Sequence, residues 1–311
     1  MSQTRRAFLG SSAALAALHA APAMPTRSFS HTGQKISILA FGCGSRFLSY
    51  KDEDEATAVI HKALDLGINY FDTAYDYGAG LSETRVGKAL GARRKDVYLV
   101  TKIPARNGDA AMRIIEGSLK RCQTDHFDTL HIHSLTTKED LAAIEAKDGV
   151  LNVMYKMRDQ KVARNIGITC HTDPHVLKTA LERNDFNVTQ FALNAARVGQ
   201  ALNDGDPSRD SFEALALPVA VRKKMGVTAM KIFAQDKLKG KAPAAKLIQY
   251  SLSLPVSAVV VGMPTIEMLE QNATIAKTYS PMSHEEMGDL NGQLSQYKAS
   301  IDHYFHDHVD A

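Results

Sequence analysis

From residue 35 onward, apolar positions follow two alternating rhythms. Short runs of mostly apolar, often β-branched residues cover 35–41, 69–73, 97–102, 129–133, 165–169, 188–193, 227–230 and 258–261. Between most of them, apolar residues recur at helical spacing, first over 53–66. The runs read as strands and the intervening stretches as amphipathic helices. Strands separated by helices pair in parallel, and eight such units in a chain of this length predict an α/β fold, a closed (β/α)8 TIM barrel forming a single domain over 24–311. A doubly wound sheet is the runner-up. Its glycine fingerprint is incomplete, because Gly42-Cys43-Gly44 is followed by Phe47 where a third glycine belongs. Two stretches depart from the rhythm. Residues 195–210, with Gly199, Gly205 and Pro207, form a long polar loop after the sixth strand, the kind of segment that walls a substrate site. From Ser283 an amphipathic helix leads to a His-rich end, His303, His306 and His308, read as a solvated tail.

The first residues follow neither rhythm. Arg5-Arg6 precede an Ala/Leu run ending near Leu18, and Ala21-Pro22-Ala23 follows. Residues 1–23 resemble a twin-arginine signal peptide with a small-residue cleavage site, placing the start of the mature chain near Met24. This predicts export of the precursor by the twin-arginine machinery and a periplasmic location. The alternative is a basic tail before an apolar surface helix, with a cytoplasmic protein. The run is too short for a stable membrane span, which needs about twenty apolar residues.

Composition narrows the partners. The 311 residues are 44% apolar and 23% charged, an ordinary globular mixture, and the formal charge is only +3. Lys and Arg are interspersed with Asp and Glu, so no basic stripe tracks phosphates and nucleic acid is not an expected partner. Cys43, Cys122 and Cys170 are far apart and odd in number, which suits neither a disulfide framework nor a zinc motif. No metal is predicted.

In a parallel barrel the active site lies at the carboxyl ends of the strands. The second predicted strand ends in Asp72 and leads into Tyr77, the third ends in Lys102 and the fourth in His133. Neighbouring strands bring these four side chains to one place. A nearby ammonium stabilises a phenolate, so Lys102 can turn Tyr77 into a usable acid, while Asp72 keeps a buried Lys102 charged. When a hydride reaches a carbonyl carbon, charge develops on the oxygen. Tyr77 would protonate that oxygen and His133 would orient it.

The segment Phe71-Asp72-Thr73-Ala74-Tyr75-Asp76-Tyr77-Gly78, with Ser82-Glu83 and Val86-Gly87-Lys88-Ala89-Leu90, resembles the aldo/keto reductase signature. The likeness continues at Val100-Thr101-Lys102 and Asp128-Thr129-Leu130-His131-Ile132-His133, and weaker echoes run from Gly33 to Asn272. It implies NAD(P)H-dependent reduction of a small aldehyde or ketone, with Asp72, Tyr77, Lys102 and His133 as catalytic residues. NADPH is the implied cofactor, with NADH left open. For the nicotinamide it implies Thr169, Cys170 and Gln190, Cys170 standing where the family has an asparagine. Met230 and Lys231 stand where a stacking aromatic is common. Gly262, Met263 and Thr265, then Gln271 and Asn272, resemble the segment holding the adenosine end, and Gly42 and Cys43 complete the set. Met268 occupies the place where many relatives put an arginine on the 2′-phosphate, so a compensating charge is sought at Lys231 or Lys237.

Two other readings compete. His131 and His133, two apart on a strand, share a face as metal ligands do in barrel metallohydrolases, with His171 nearby. No Asp or His closes the eighth strand, and His131 is read as a core histidine. The other is a nucleotide-binding redox sensor or scaffold using Cys43 and Cys170. The substrate and the oligomeric state are not encoded in any motif.

Overall fold

The computed structural model describes residues 22–30, 33–197 and 210–306. Nearly all of the signal-peptide reading, most of the 195–210 loop and His308 lie outside the described residues. His303 and His306 are described only as backbone of the helix Lys298–His306.

The strands are β1 (Thr26–Phe29), β2 (Gln34–Ser37), β3 (Leu39–Gly42), β4 (Tyr70–Asp72), β5 (Tyr98–Ile103), β6 (Phe127–Leu135), β7 (Ala163–Cys170), β8 (Val188–Ala192), β9 (Gly226–Met230) and β10 (Ala258–Val261). β3 to β10 close into an eight-stranded barrel, each pairing in parallel with the next and β10 returning to β3. The predicted (β/α)8 barrel is the observed fold. Its helices obey the local rules: Glu53–Asp65 begins at Asp52, whose carboxylate accepts from Glu55 N–H, and Gly108–Arg121 is capped in the same way by Asn107.

The first predicted strand needs correction. Residues 35–41 are two elements, because β2 turns away to pair antiparallel with β1 and only β3 enters the barrel. The reason is an apolar layer at the amino-terminal end of the barrel that would otherwise face water. Phe29 of β1 plugs it, edge-on to Tyr70 (5.7 Å) and Tyr98 (5.3 Å), whose own rings stack at 5.1 Å. Gly226 makes the room: a Cβ there would stand 2.6 Å from the Phe29 ring. Phe29→Leu is expected to cost about 1–2 kcal/mol through lost packing and ring contacts, read as a lower denaturant midpoint at unchanged slope. With one end plugged, the opposite end is left to carry the chemistry.

Candidate active site

β4, β5 and β6 bring their carboxyl ends to the open mouth. Asp72 is the last residue of β4, Lys102 sits one residue before the end of β5, and His133 lies two before the end of β6. Tyr77 comes from the loop after β4, and that loop is bent sharply back. Gly78, Ala79 and Gly80 all have positive φ (64°, 51° and 93°), a curl that glycine permits at two of the three positions. Ser82 anchors the curl, donating to Cys43 O and sharing a hydrogen bond with Thr73 Oγ1, both at 2.7 Å. Beneath it the buried Glu83 carboxylate accepts from Thr101 (2.6 Å) and from Arg121 Nε (2.7 Å), and the Arg121 guanidinium lies over the Tyr75 ring.

The four predicted catalytic side chains converge. Lys102 Nζ donates to Asp72 Oδ2 (2.9 Å) and to Thr73 O (3.0 Å), and lies 3.1 Å from the Tyr77 hydroxyl. Lys102 and Asp72 are 1% and 2% exposed. Burial alone would drive the Lys102 ammonium towards neutrality, but the Asp72 carboxylate and the Tyr77 oxygen more than reverse this and hold it above the ordinary lysine value. The His133 ring stands edge-on to Tyr77, centroids 5.8 Å apart, and its Nδ1 lies 3.1 Å from Asp76 Oδ2. Its backbone is clamped by Arg106, which donates to His133 O and Ser134 O at 2.9 Å while paired with Asp140.

A cleft opens from this cluster between the end of β3 and the loop after β9. Asp72, Tyr77, His171, Gln190, Met230, Lys231, Gly42 and Gly262 line it, together with Arg46, Phe233 and Asp236. The backbone is stripped where β3 meets β10: a Cβ on Gly42 would stand 3.1 Å from Gly262 N, and one on Gly262 would stand 2.9 Å from the Arg46 side chain. Arg46 and Asp236 form an ion pair that joins the two walls.

The model of the aldo/keto reductase family matches residues 39–241. The chain belongs to the aldo/keto reductase family. It is an oxidoreductase whose reaction class is carbonyl reduction with a nicotinamide cofactor. L-galactose dehydrogenase of Arabidopsis thaliana is 27% identical over 88% of this chain and 95% of that enzyme. The uncharacterized oxidoreductase YqkF of Bacillus subtilis is 25% identical over 89% and 99%. Among solved structures, the holo form of an aldo-keto reductase from Bacillus halodurans superposes with a TM-score of 0.71 at 24% identity, over 87% of this chain and 96% of the other. A Klebsiella pneumoniae aldo-keto reductase in complex with NADPH gives 0.70 at 22%, over 88% and 96%.

In this aldo/keto reductase the residues expected to hold the cofactor divide. Gln190 lies in the cleft, its Nε2 donating to Asp72 Oδ2 at 3.1 Å and its Oε1 buried without a hydrogen-bond partner. Asp72 Oδ1 and Asn272 Nδ2 are likewise buried without a partner. Unspent polar atoms of this kind fit a polar ligand. Gly42, Met230, Lys231 and Gly262 are in the cleft as expected.

Others are not. Cys43 and Cys170 are fully buried, their thiols directed at Phe41 O and Leu135 O, because each is packed behind its strand end. Thr169 is fully buried, and its hydroxyl accepts from Ser134 N at 2.7 Å, so it holds the β6 turn. Met263 packs in the core, while Thr265 caps the helix Ile266–Lys277 by accepting from Met268 N. Gln271 is exposed on the outer face of that helix, one position from the buried Asn272. Phe233, three residues beyond Met230, is the aromatic ring of this wall. Neither it nor the Arg46–Asp236 pair carries a local sequence signal, since both depend on how the loop after β9 folds.

The competing readings lose their support in the geometry. His131 is fully buried against Gly167, where a Cβ would stand 2.6 Å from its Nδ1, and burial pushes its pKa well down. Among the described residues no group of three or more His, Cys, Asp or Glu is placed to hold a metal ion. Burial raises the Cys43 thiol well above its ordinary value and the Cys170 thiol to about 12, the reverse of what a redox-sensing thiolate needs.

Proposed function

We propose that the chain reduces a small aldehyde or ketone with NADPH, Tyr77 giving the proton. The observation that carries this reading is the Lys102 ammonium held 2.9 Å from Asp72 and 3.1 Å from the Tyr77 hydroxyl, a cation fixed where it favours loss of the phenolic proton. The bound nicotinamide supplies the hydride. Gln190 offers a buried amide oxygen to its carboxamide, Asp72 a carboxylate oxygen to its ribose, and Asn272 an amide to the adenosine end. The bare Gly42 and Gly262 backbone lets the ligand approach closely. Tyr77 and His133 then converge on the carbonyl oxygen, where the negative charge develops. Gln190→Ala is expected to weaken NADPH about tenfold in a fluorescence titration, the loss of one or two hydrogen bonds. NADPH is favoured by the family and by solved neighbours carrying it, although Met268 offers no charge to a 2′-phosphate.

Export belongs to the same reading. Arg5-Arg6, the apolar run to Leu18 and Ala21-Pro22-Ala23 support a twin-arginine signal over 1–23. No helix among the described residues is long and apolar enough to cross a membrane. Because that route carries folded proteins, the cofactor would travel bound and be regenerated by a second substrate in the same site. Cell fractionation of the wild type and of an Arg5→Lys, Arg6→Lys variant tests this. Periplasmic wild type carrying nucleotide, with the variant retained in the cytoplasm, is the expected outcome. Equal distribution of the two would contradict it.

A further inference from the structure

Asp76 immediately precedes the catalytic tyrosine, and its Oδ2 lies 3.1 Å from Nδ1 of His133. A carboxylate can only accept a hydrogen bond, so Nδ1 carries a proton whether the ring is neutral or charged. The consequence falls on the other nitrogen. In the neutral ring Nε2 bears a lone pair and cannot donate to a carbonyl oxygen. In the imidazolium it can. Nε2 is buried, and the ring stands edge-on to Tyr77, whose hydroxyl addresses the same oxygen.

We infer that Asp76 is a positioning residue that holds the neutral ring of His133 in its Nδ1–H form, so that Nε2 can donate to the carbonyl oxygen only when the ring is an imidazolium. This rests on the reading of the site as a carbonyl reductase. Reduction falls as pH rises through the His133 titration, because the Nε2–H donor is lost, while the one proton exchanged with the substrate oxygen belongs to Tyr77 in either direction.

The groups around the ring set where that interval lies. Asp76 and Tyr77 face it from the loop after β4, with Asp72 below. Lys102 approaches from β5 and Arg106 from the loop beyond, the latter bonded to His133 O. His131 is two residues back on its own strand, and His171 stands 6.4 Å away, ring to ring, beyond β7. Lys102 and Arg106 oppose a second cation, and Asp76 is an anion in direct contact with the ring. Its charge therefore favours the imidazolium over the neutral ring.

The test is the pH profile of kcat for carbonyl reduction for the wild type, Asp76→Asn and Asp76→Glu, joined to ring-nitrogen NMR of His133 in 15N-histidine-labelled protein. The His133 signals are assigned by their loss in His133→Gln. Asp76→Asn removes the charge at nearly constant shape. It is expected to move the midpoint of the reductive profile down by about one pH unit, an opposite charge having been lost from contact. The KM for the cofactor should stay within about twofold, since Asp76 is not among the groups placed to hold it. Asp76→Glu should move the midpoint back towards the wild type. NMR should show the neutral ring as Nδ1–H in the wild type.

An unchanged midpoint in Asp76→Asn, or an Nε2–H neutral ring in the wild type, overturns the inference. Absence of turnover in the wild type would instead contradict the reading of the site, and the NMR result would still decide the tautomer.

Discussion

Tyr77→Phe lowers kcat for carbonyl reduction by ~10²–10⁴-fold, the usual worth of a positioned general acid, while NADPH affinity changes little. The substitution removes one oxygen. That oxygen is the group 3.1 Å from Lys102 Nζ, and the ring itself stays packed beside Gly44 and His133. Stopped-flow single-turnover measurements with NADPH preloaded separate this loss from any change in binding. If the chemical step kept its wild-type rate, the proton would have to come from elsewhere, and His133 would be the first group to examine.

Lys102→Met is expected to harm both rate and stability. Asp72 is 2% exposed, and its Oδ2 accepts from Lys102 and from Gln190. Removing the cation leaves a buried carboxylate with one neutral donor, a change that costs about 3–5 kcal/mol where a buried pair is broken from one side. For a domain of this size that lowers the thermal midpoint by about 10 °C. Adding Asp72→Asn should restore most of the midpoint and none of the activity, because it removes the stranded charge without returning an ammonium to Tyr77.

The pH dependence has a definite sign. Lys102 is held above the ordinary lysine value, so its contribution to stability is complete at neutral pH. It is lost only as pH rises beyond about 10.4, the unfolded-state value, towards the higher value of the native state. A loss of stability between pH 6 and 8, roughly the histidine range, would therefore point to a different group.

The chemistry of this site was readable in the sequence because it lies at strand ends. Asp72, Lys102 and His133 close three successive parallel strands, and a barrel has only one place to put them. Tyr77 could be added because it follows Asp72 closely on the next loop and lies in the aldo/keto reductase signature, whereas the Gly78–Gly80 curl that returns it to the mouth is visible only in the structure. The cofactor contacts were harder to read, since they depend on which way a side chain turns at the end of its strand. Thr169 and Cys170 end β7 beside Gln190 in register, yet their polar atoms are spent on Ser134 N and Leu135 O, whereas Gln190 keeps a free oxygen. The hairpin β1–β2 was missed for a related reason. Residues 35–41 are apolar throughout much of their length, and only the need to cover Tyr70 and Tyr98 tells that the first half belongs outside the barrel wall.

Asp76 illustrates a third case. As a residue of the signature segment it carried no role of its own, and only its 3.1 Å approach to His133 gives it one. Sequence spacing does not reveal such a contact, because the two residues are 57 positions apart and meet through the curl after β4.

The most direct measurement is the decay of reduced-nicotinamide absorbance when the protein comprising residues 24–311 is mixed with NADPH or NADH and a panel of small aldehydes and ketones. The account predicts turnover with at least one carbonyl, faster with NADPH and lowered ~10²–10⁴-fold in Tyr77→Phe. Failure of the folded protein to bind either nucleotide would contradict it.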